Sequence, residues 1–143
     1  MTVWSGTSDS NVQKLFTLQK KAVRHICFAS FYDHTSKLFA SLSILKFPDL
    51  IHVHIAMFAY CSVNSYNPPV FNNYFTPNKD VHSYNTRQAC DMHKSRPRTN
   101  IFKQCLRYRS NTIWNSLSNA TKHHRSPYSF KRNLSNNFLK SYC

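Results

Sequence analysis

Glutamate is absent from this chain, and its only acids are five aspartates: Asp9, Asp33, Asp49, Asp80 and Asp91. No two of them adjoin. A two-metal nucleotidyl-transfer site needs paired carboxylates, so polymerase chemistry has nothing here to hold its metals. The same shortage counts against a hydrolase that works with two carboxylates. Glycine is almost as scarce. Gly6 is the only one, which excludes a glycine-rich phosphate loop. Turns then fall to Asn, Asp, Ser and Pro, which are plentiful. No long hydrophobic run exists either. The most apolar stretch, 50–63, carries His52 and His54 and is too short to span a bilayer, so no membrane partner is expected. Met1 is not followed by a basic-then-apolar leader. The cysteines (Cys27, Cys61, Cys90, Cys105 and Cys143) are odd in number and lack scaffold-like spacing. They read as reduced thiols of an intracellular protein, nuclear or cytoplasmic.

Positive charge is what the chain has in excess. Its 19 Lys and Arg against five acids leave a net charge of +14. Such an imbalance makes a compact chain repel itself, and a polyanionic partner relieves that repulsion. Nucleic acid is the commonest polyanion. The plain alternative is a solvated basic surface with no specific partner. The cations are dispersed through a normally apolar sequence and form no polybasic tail. Aromatics at 15 % are too many for a disordered segment, so the chain reads as one small folded domain.

The pattern predicts a mainly α-helical, irregular domain of about five helices with a long polar loop. Asp9 or Ser10 can cap a helix over 11–29. Val12, Leu15, Phe16, Ala22, Val23, Ile26 and Cys27 recur there at helical spacing, opposite Lys14, Lys21, Arg24 and His25. Thr35 or Ser36 can cap a short helix ending near Leu42. Pro48 suits the first position of the next helix, with Asp49 in its first turn. That helix, to about Asn64, is apolar on nearly all sides and should be central and buried. His52 and His54, two apart, face different ways and read as core or boundary residues. Pro68-Pro69 breaks the helix, and 70–75 makes an apolar turn or two. The stretch 76–101 is polar and turn-rich, a length of connection that is usually functional or mobile. A short extended piece is expected over 105–108, then a short helix after Ser110 or Asn111 carrying Ile113, Trp114 and Leu117. Trp114 and Asn115 look structural, with Asn115 holding a helix end. Ser126-Pro127 opens the last helix, to about Lys140, with Phe130, Leu134 and Phe138 four apart.

Two constellations could carry chemistry. Cys90 and His93 are the pair with the look of zinc ligands, with Cys105 and His123 or His124 as distant completions. Their spacing is irregular, and no metal site or other cofactor is expected. The segment 87–109 is the stronger candidate. It carries Arg87, Lys94, Arg96, Arg98, Lys103, Arg107 and Arg109, interleaved with Tyr84, His93, Phe102 and Tyr108. Guanidinium groups clamp phosphates and aromatic rings stack on unpaired bases, so RNA or single-stranded DNA is the expected partner. Arg87, Lys94, Arg96, Arg98, Lys103, Arg107, Tyr108 and Arg109 are the candidate contacts. The bland reading is a basic loop packed by its own aromatics.

The order Tyr84-Asn85-Thr86-Arg87-Gln88, Arg96-Pro97-Arg98-Thr99-Asn100, Tyr108-Arg109, Trp114-Asn115-Ser116-Leu117, Ser129-Phe130-Lys131-Arg132 and Tyr142 resembles the extreme C-terminal region of non-LTR (LINE-type, jockey-like) retrotransposon reverse transcriptases. Trp4, Gly6 and the run from Leu15 to Arg24 resemble the helix after the polymerase core of that family. The resemblance covers nearly the whole chain. It implies a single C-terminal accessory region, 1–143, with a helical thumb-adjacent part (1–75) and a basic loop with C-terminal helices (76–143). It implies a parent that is an RNA-directed DNA polymerase, catalytic parts lying upstream, and contact with RNA or DNA during reverse transcription. The absent polymerase core would be the packing partner of the first helix, leaving Leu15, Phe16 or Val23 exposed. Three departures stand out. Ser110-Asn111 replaces a Gly-Pro pair, Ser118 replaces a proline, and Ser5 splits a Trp-Gly pair. Loss of turn residues is what drift in an unselected copy produces, so a truncated, decayed element is one expected source. A stand-alone nucleic-acid-binding module is another.

Overall fold

A computed structural model describes residues 6–84 and 86–142. Trp4, Ser5, Asn85 and Cys143 lie outside the described residues. The fold is mainly α-helical, with no strand among the described residues. Five helices reach seven residues or more: α1 (Asp9–Ile26), α2 (Thr35–Ser41), α3 (Phe47–Val63), α6 (Leu106–Ser116) and α8 (Pro127–Lys140). Three single turns accompany them: α4 (Asn78–Val81), α5 (Asn100–Gln104) and α7 (Asn119–Lys122). A 3-10 helix, Pro69–Tyr74, follows α3 where Pro68-Pro69 ends it.

Helix α3 is the hub. Pro48 sits in its first turn, where the missing N–H costs nothing, and Asp49 lies near the positive end of the helix dipole. Its side chains are apolar all round, so it must be covered on several sides. Helices α6 and α8 pack along it, and α1 adds a third contact. Ile51, Val53, Ile55, Ala56, Ala59 and Tyr60 are buried with Ile113 and Trp114 of α6 and Phe130 and Leu134 of α8. Each fully buried aliphatic or phenylalanine side chain contributes about 1.5–3 kcal/mol of transfer free energy. Tyr60 stacks on Phe130 at 4.4 Å between centroids, and its hydroxyl donates to the His124 carbonyl at 2.6 Å. A buried phenol thus keeps its hydrogen bond. The core therefore draws on both 1–75 and 76–143.

A second, smaller cluster joins Val23, Phe39 and Tyr142, with Phe16, Cys27 and Leu38 against it. It brings α1, α2 and the end of the chain together. The Tyr142 hydroxyl donates to Asp49 Oδ2 and accepts from the Lys46 N–H, while the Lys46 ammonium lies 4.0 Å over its ring. Gln19 of α1 holds the same turn. Its side chain donates to the Leu45 carbonyl at 2.9 Å and accepts from the Phe47 N–H at 2.8 Å. Of the apolar face expected on α1, Val23 is buried and Phe16 half-buried. Leu15 is 46 % exposed and Ile26 59 %, so the face is only partly covered.

Glycine scarcity shows at the helix ends. Helices α1, α2 and α3 each close with a residue at positive φ: Phe28 (51°), Ser43 (53°) and Ser65 (60°). In each case the next N–H reaches back to the helix: Ala29 to Arg24, Ile44 to Phe39, Tyr66 to Cys61. This is the Schellman closure, in which glycine normally supplies the left-handed residue. Here a phenylalanine and two serines do so.

The structure moves several boundaries. Helix α1 runs Asp9–Ile26, with Ser8 before it and no side-chain cap, so neither Asp9 nor Ser10 caps it. The last helix begins as expected: Ser126 Oγ accepts from the Ser129 N–H at 3.2 Å ahead of Pro127. Of the extended piece expected over 105–108, only Cys105 is extended, between α5 and α6, and 106–108 are helical. Thr99 caps α5 by accepting from the Phe102 N–H, and α6 starts at Leu106. Ser110 and Asn111 are inside α6 and buried, not ahead of it. These polar residues lie on the buried face of α6, where periodicity alone predicts apolar side chains.

Candidate nucleic-acid interface

The polar segment after residue 75 folds back on itself before it meets α6. Pro77 and Met92 form an isolated antiparallel bridge. The His93 N–H donates to the Thr76 carbonyl at 2.8 Å, and the Asn78 N–H to the Asp91 carbonyl at 2.9 Å. Asn78 Nδ2 reaches the Gln88 carbonyl at 2.9 Å, and its Oδ1 faces His93 Nδ1 at 3.2 Å. The loop is thus stapled across its base. These bonds pair several of its backbone polar groups outside any strand.

Two asparagines one helical turn apart on α6 then hold this staple. Asn115 accepts from the Met92 N–H and donates to the Met92 carbonyl. Asn111 donates to the carbonyls of both Tyr74 and His93, each at 2.9 Å. Asn115 was expected to hold a helix end; it grips the loop instead. Asn111 is buried, and its Oδ1 has no partner among the described residues.

An open cleft of about 750 Å³ lies between this loop and α6, with His82, Gln88, Asp91, Lys94, Thr112 and Asn115 among its walls. Lys94 also stands beside a crevice of about 10 Å³ with Ser95, Phe102, Arg107, Tyr108 and Asn111. That crevice has room for a single water. Lys94 therefore joins the two features.

The eight candidate residues divide between surfaces. Lys94, Arg107 and Tyr108 come together at the crevice. Arg107 is exposed, donates to the Asn73 carbonyl at 3.3 Å and lies 5.6 Å over the Tyr74 ring. Tyr108 is half-buried and meets Phe102 edge-on at 6.1 Å. Arg87, Arg96, Arg98 and Lys103 are exposed, and Lys103 reaches Asn100 Oδ1 at 3.3 Å. Among the described residues Arg87, Lys94, Arg96 and Arg98 have no hydrogen-bond or ion-pair partner. Arg109 is half-buried on another side of α6, where its charge bears on His52 of α3. Successive helical residues point about 100° apart, which separates Arg109 from Tyr108.

The titratable groups with shifted pKa values lie on α3 and at Tyr142, which bonds to it. Burial pushes the His52 imidazole below its ordinary 6.5; Asp49 raises it and Arg109 lowers it further. Burial also lowers His54, with Lys131 adding to the effect. The Tyr60 phenol and Cys61 thiol are raised by burial. Cys27, Cys61, Cys90 and Cys105 are free thiols. No group of three or more His, Cys, Asp or Glu suited to a metal ion forms among the described residues, so Cys90, His93, Cys105, His123 and His124 do not assemble. No helix among the described residues is long and apolar enough to cross a membrane.

Lys94, Arg107 and Tyr108, singled out from the sequence, share a crevice, whereas the cleft has no counterpart in the sequence reading. Its walls come from residues separated by the whole loop, and the backbone staple at Pro77 and Met92 together with the Asn78, Asn111 and Asn115 clamps brings them together. An asparagine spacing of four on one helix was the signal available. No family model, curated protein or solved structure matches this chain.

Proposed function

We propose that this chain is a non-catalytic module that holds an unpaired RNA or DNA strand along the surface from Arg87 to Arg107. The observation that carries the reading is the set of exposed cations without hydrogen-bond or ion-pair partners among the described residues, Arg87, Lys94, Arg96 and Arg98, of which Lys94 shares a crevice with Arg107 and the Tyr108 ring. Unpaired cations bind phosphates by releasing counterions, and a neighbouring ring offers a face to a base. The motif order shared with non-LTR retrotransposon reverse transcriptases supports a place beside a polymerase that copies RNA into DNA. In that setting the module contacts template RNA or target DNA, and the polymerase core packs on the uncovered part of α1. A stand-alone module uses the same surface. A broken or intact polymerase frame immediately upstream in the genomic DNA distinguishes the two origins.

Fluorescence anisotropy of a labelled single strand, at several salt concentrations, tests the binding. With 4–6 phosphates contacted, log K should fall against log salt with a slope of about −3 to −4. Joint replacement of Arg87, Arg96 and Arg98 by alanine should weaken binding to all sequences alike and flatten the slope. Tyr108→Ala should cost about 1–3 kcal/mol of affinity. Unchanged affinity and slope in the triple variant, with a lowered melting temperature for Tyr108→Ala, would show a solvated, self-packed loop and defeat the proposal.

A further inference from the structure

We infer that the cleft beside Lys94 is a guanine subsite for a single base of the bound strand. The inference rests on the nucleic-acid reading above and adds a base preference to it. The cleft's volume of about 750 Å³ lies within the range of ligand sites, roughly 300–1,000 Å³. Its walls divide by chemistry. Asn78 and Asn115 use both ends of their carboxamides on the protein's own backbone and ring groups, and Thr112 donates to the Tyr108 carbonyl. These residues fix the shape. His82 meets His93 edge-on at 5.6 Å. The side chains of Tyr84, Gln88, Asp91 and Lys94 carry no hydrogen bond among the described residues. They are the groups left to meet a ligand.

Their kinds point to one base. A carboxylate only accepts hydrogen bonds. Asp91 is therefore matched by an edge that presents donors, and it repels one that presents acceptors. Guanine alone among the common bases presents two adjacent donors, N1–H and the N2 amine, on its pairing edge. Uracil and thymine flank their single donor with two carbonyls, which a carboxylate opposes. Adenine and cytosine set an acceptor beside their amine. Gln88 supplies both a donor and an acceptor, and the His82 and Tyr84 rings offer stacking faces. Phosphate is repelled by Asp91 and attracted by Lys94, so the strand enters with its backbone on the Lys94 side. There it continues toward Arg107 and Tyr108. An unpaired strand is required, because the guanine edge read by Asp91 is hidden in a duplex.

Anisotropy with three labelled RNA decamers tests this on the wild-type chain. One is all uridine, one carries a single central guanosine, and one carries inosine, which lacks the N2 amine. The guanosine strand should bind about ten-fold tighter than the uridine strand, with inosine losing most of that gain. Asp91→Ala, checked for folding by its melting curve, should erase the preference while leaving uridine binding no weaker. Equal affinity for all three strands overturns the guanine subsite and leaves the proposed function standing. No binding of any strand overturns the proposed function itself. Free guanosine monophosphate binding as tightly as the guanosine strand also overturns the inference, since the cleft would then serve a mononucleotide.

Discussion

Asn115 pairs with both backbone groups of Met92, accepting from its N–H and donating to its carbonyl at 2.9 Å each. The carboxamide imitates a neighbouring strand, and one side chain satisfies two backbone groups of a half-buried loop. Asn115→Asp keeps the acceptor but sets a second acceptor against the Met92 carbonyl. We expect a loss of about 1–3 kcal/mol in unfolding free energy from urea titration. Hydrogen exchange at the Met92 amide should accelerate while the α3 amides keep their protection relative to global unfolding. An unmoved urea midpoint would mean the clamp contributes nothing in solution.

Glycine at the left-handed helix ends should stabilise the chain. A non-glycine residue in that conformation costs about 1–2 kcal/mol, offset in part by the greater entropy glycine loses on folding. Phe28 is 97 % exposed, so Phe28→Gly sacrifices almost no packing. Phe28→Gly, Ser43→Gly and Ser65→Gly should each gain about 0.5–1 kcal/mol, and the three should add because they lie at different helix ends. Thermal unfolding of the singles and the triple checks both points; alanine at the same sites should give no such gain.

Tyr142→Phe removes a buried hydroxyl while keeping the ring under the Lys46 ammonium. Asp49 Oδ2 and the Lys46 N–H both lose a partner. A hydrogen bond to a charged group is worth about 1.5–3 kcal/mol, and a loss of that size is expected in chemical denaturation. Near-wild-type stability would indicate that water replaces the hydroxyl.

Acid should destabilise the fold through His52 and His54. Both have folded pKa values below the ordinary 6.5, with burial as the leading cause. The unfolded chain therefore binds more protons as pH falls. This contribution is complete above about pH 6.5 and is lost as pH drops through the lower folded values. His52→Gln should flatten the fall in urea midpoint between neutral pH and about pH 5. A midpoint that falls as steeply without His52 would place the acid sensitivity elsewhere.

Much of the helical frame can be read from sequence. The Pro48 start of α3, the break at Pro68-Pro69 and the Ser126-Pro127 start of α8 are local signals, fixed by proline geometry and by a side chain that caps its own helix. The hidden parts are those where distant residues do local work. Ser110 and Asn111 are polar yet buried, which disguised the first turns of α6 as something else. The expected contacts scattered for a related reason: Arg109 follows Arg107 and Tyr108 directly in sequence, yet the helix turns it away from the crevice they share and toward His52. The cleft depends on carboxamide clamps between loop and helix, which no periodicity announces.

The hub position of α3 has a consequence for how the chain is made. The helix is apolar on nearly every side, yet the surfaces that cover it, α6 and α8, are encoded much later. During synthesis α3 emerges with α1 available against it but without its main cover, which follows only with those helices. Closing the Asp49–Tyr142 contact requires joining residues 93 apart in sequence. Such distant pairing is slow for a helical protein, because loop closure precedes the contacts that reward it. A nascent chain that stops short of α6 should therefore expose apolar α3 surface, the kind of surface that promotes aggregation and that chaperones cover.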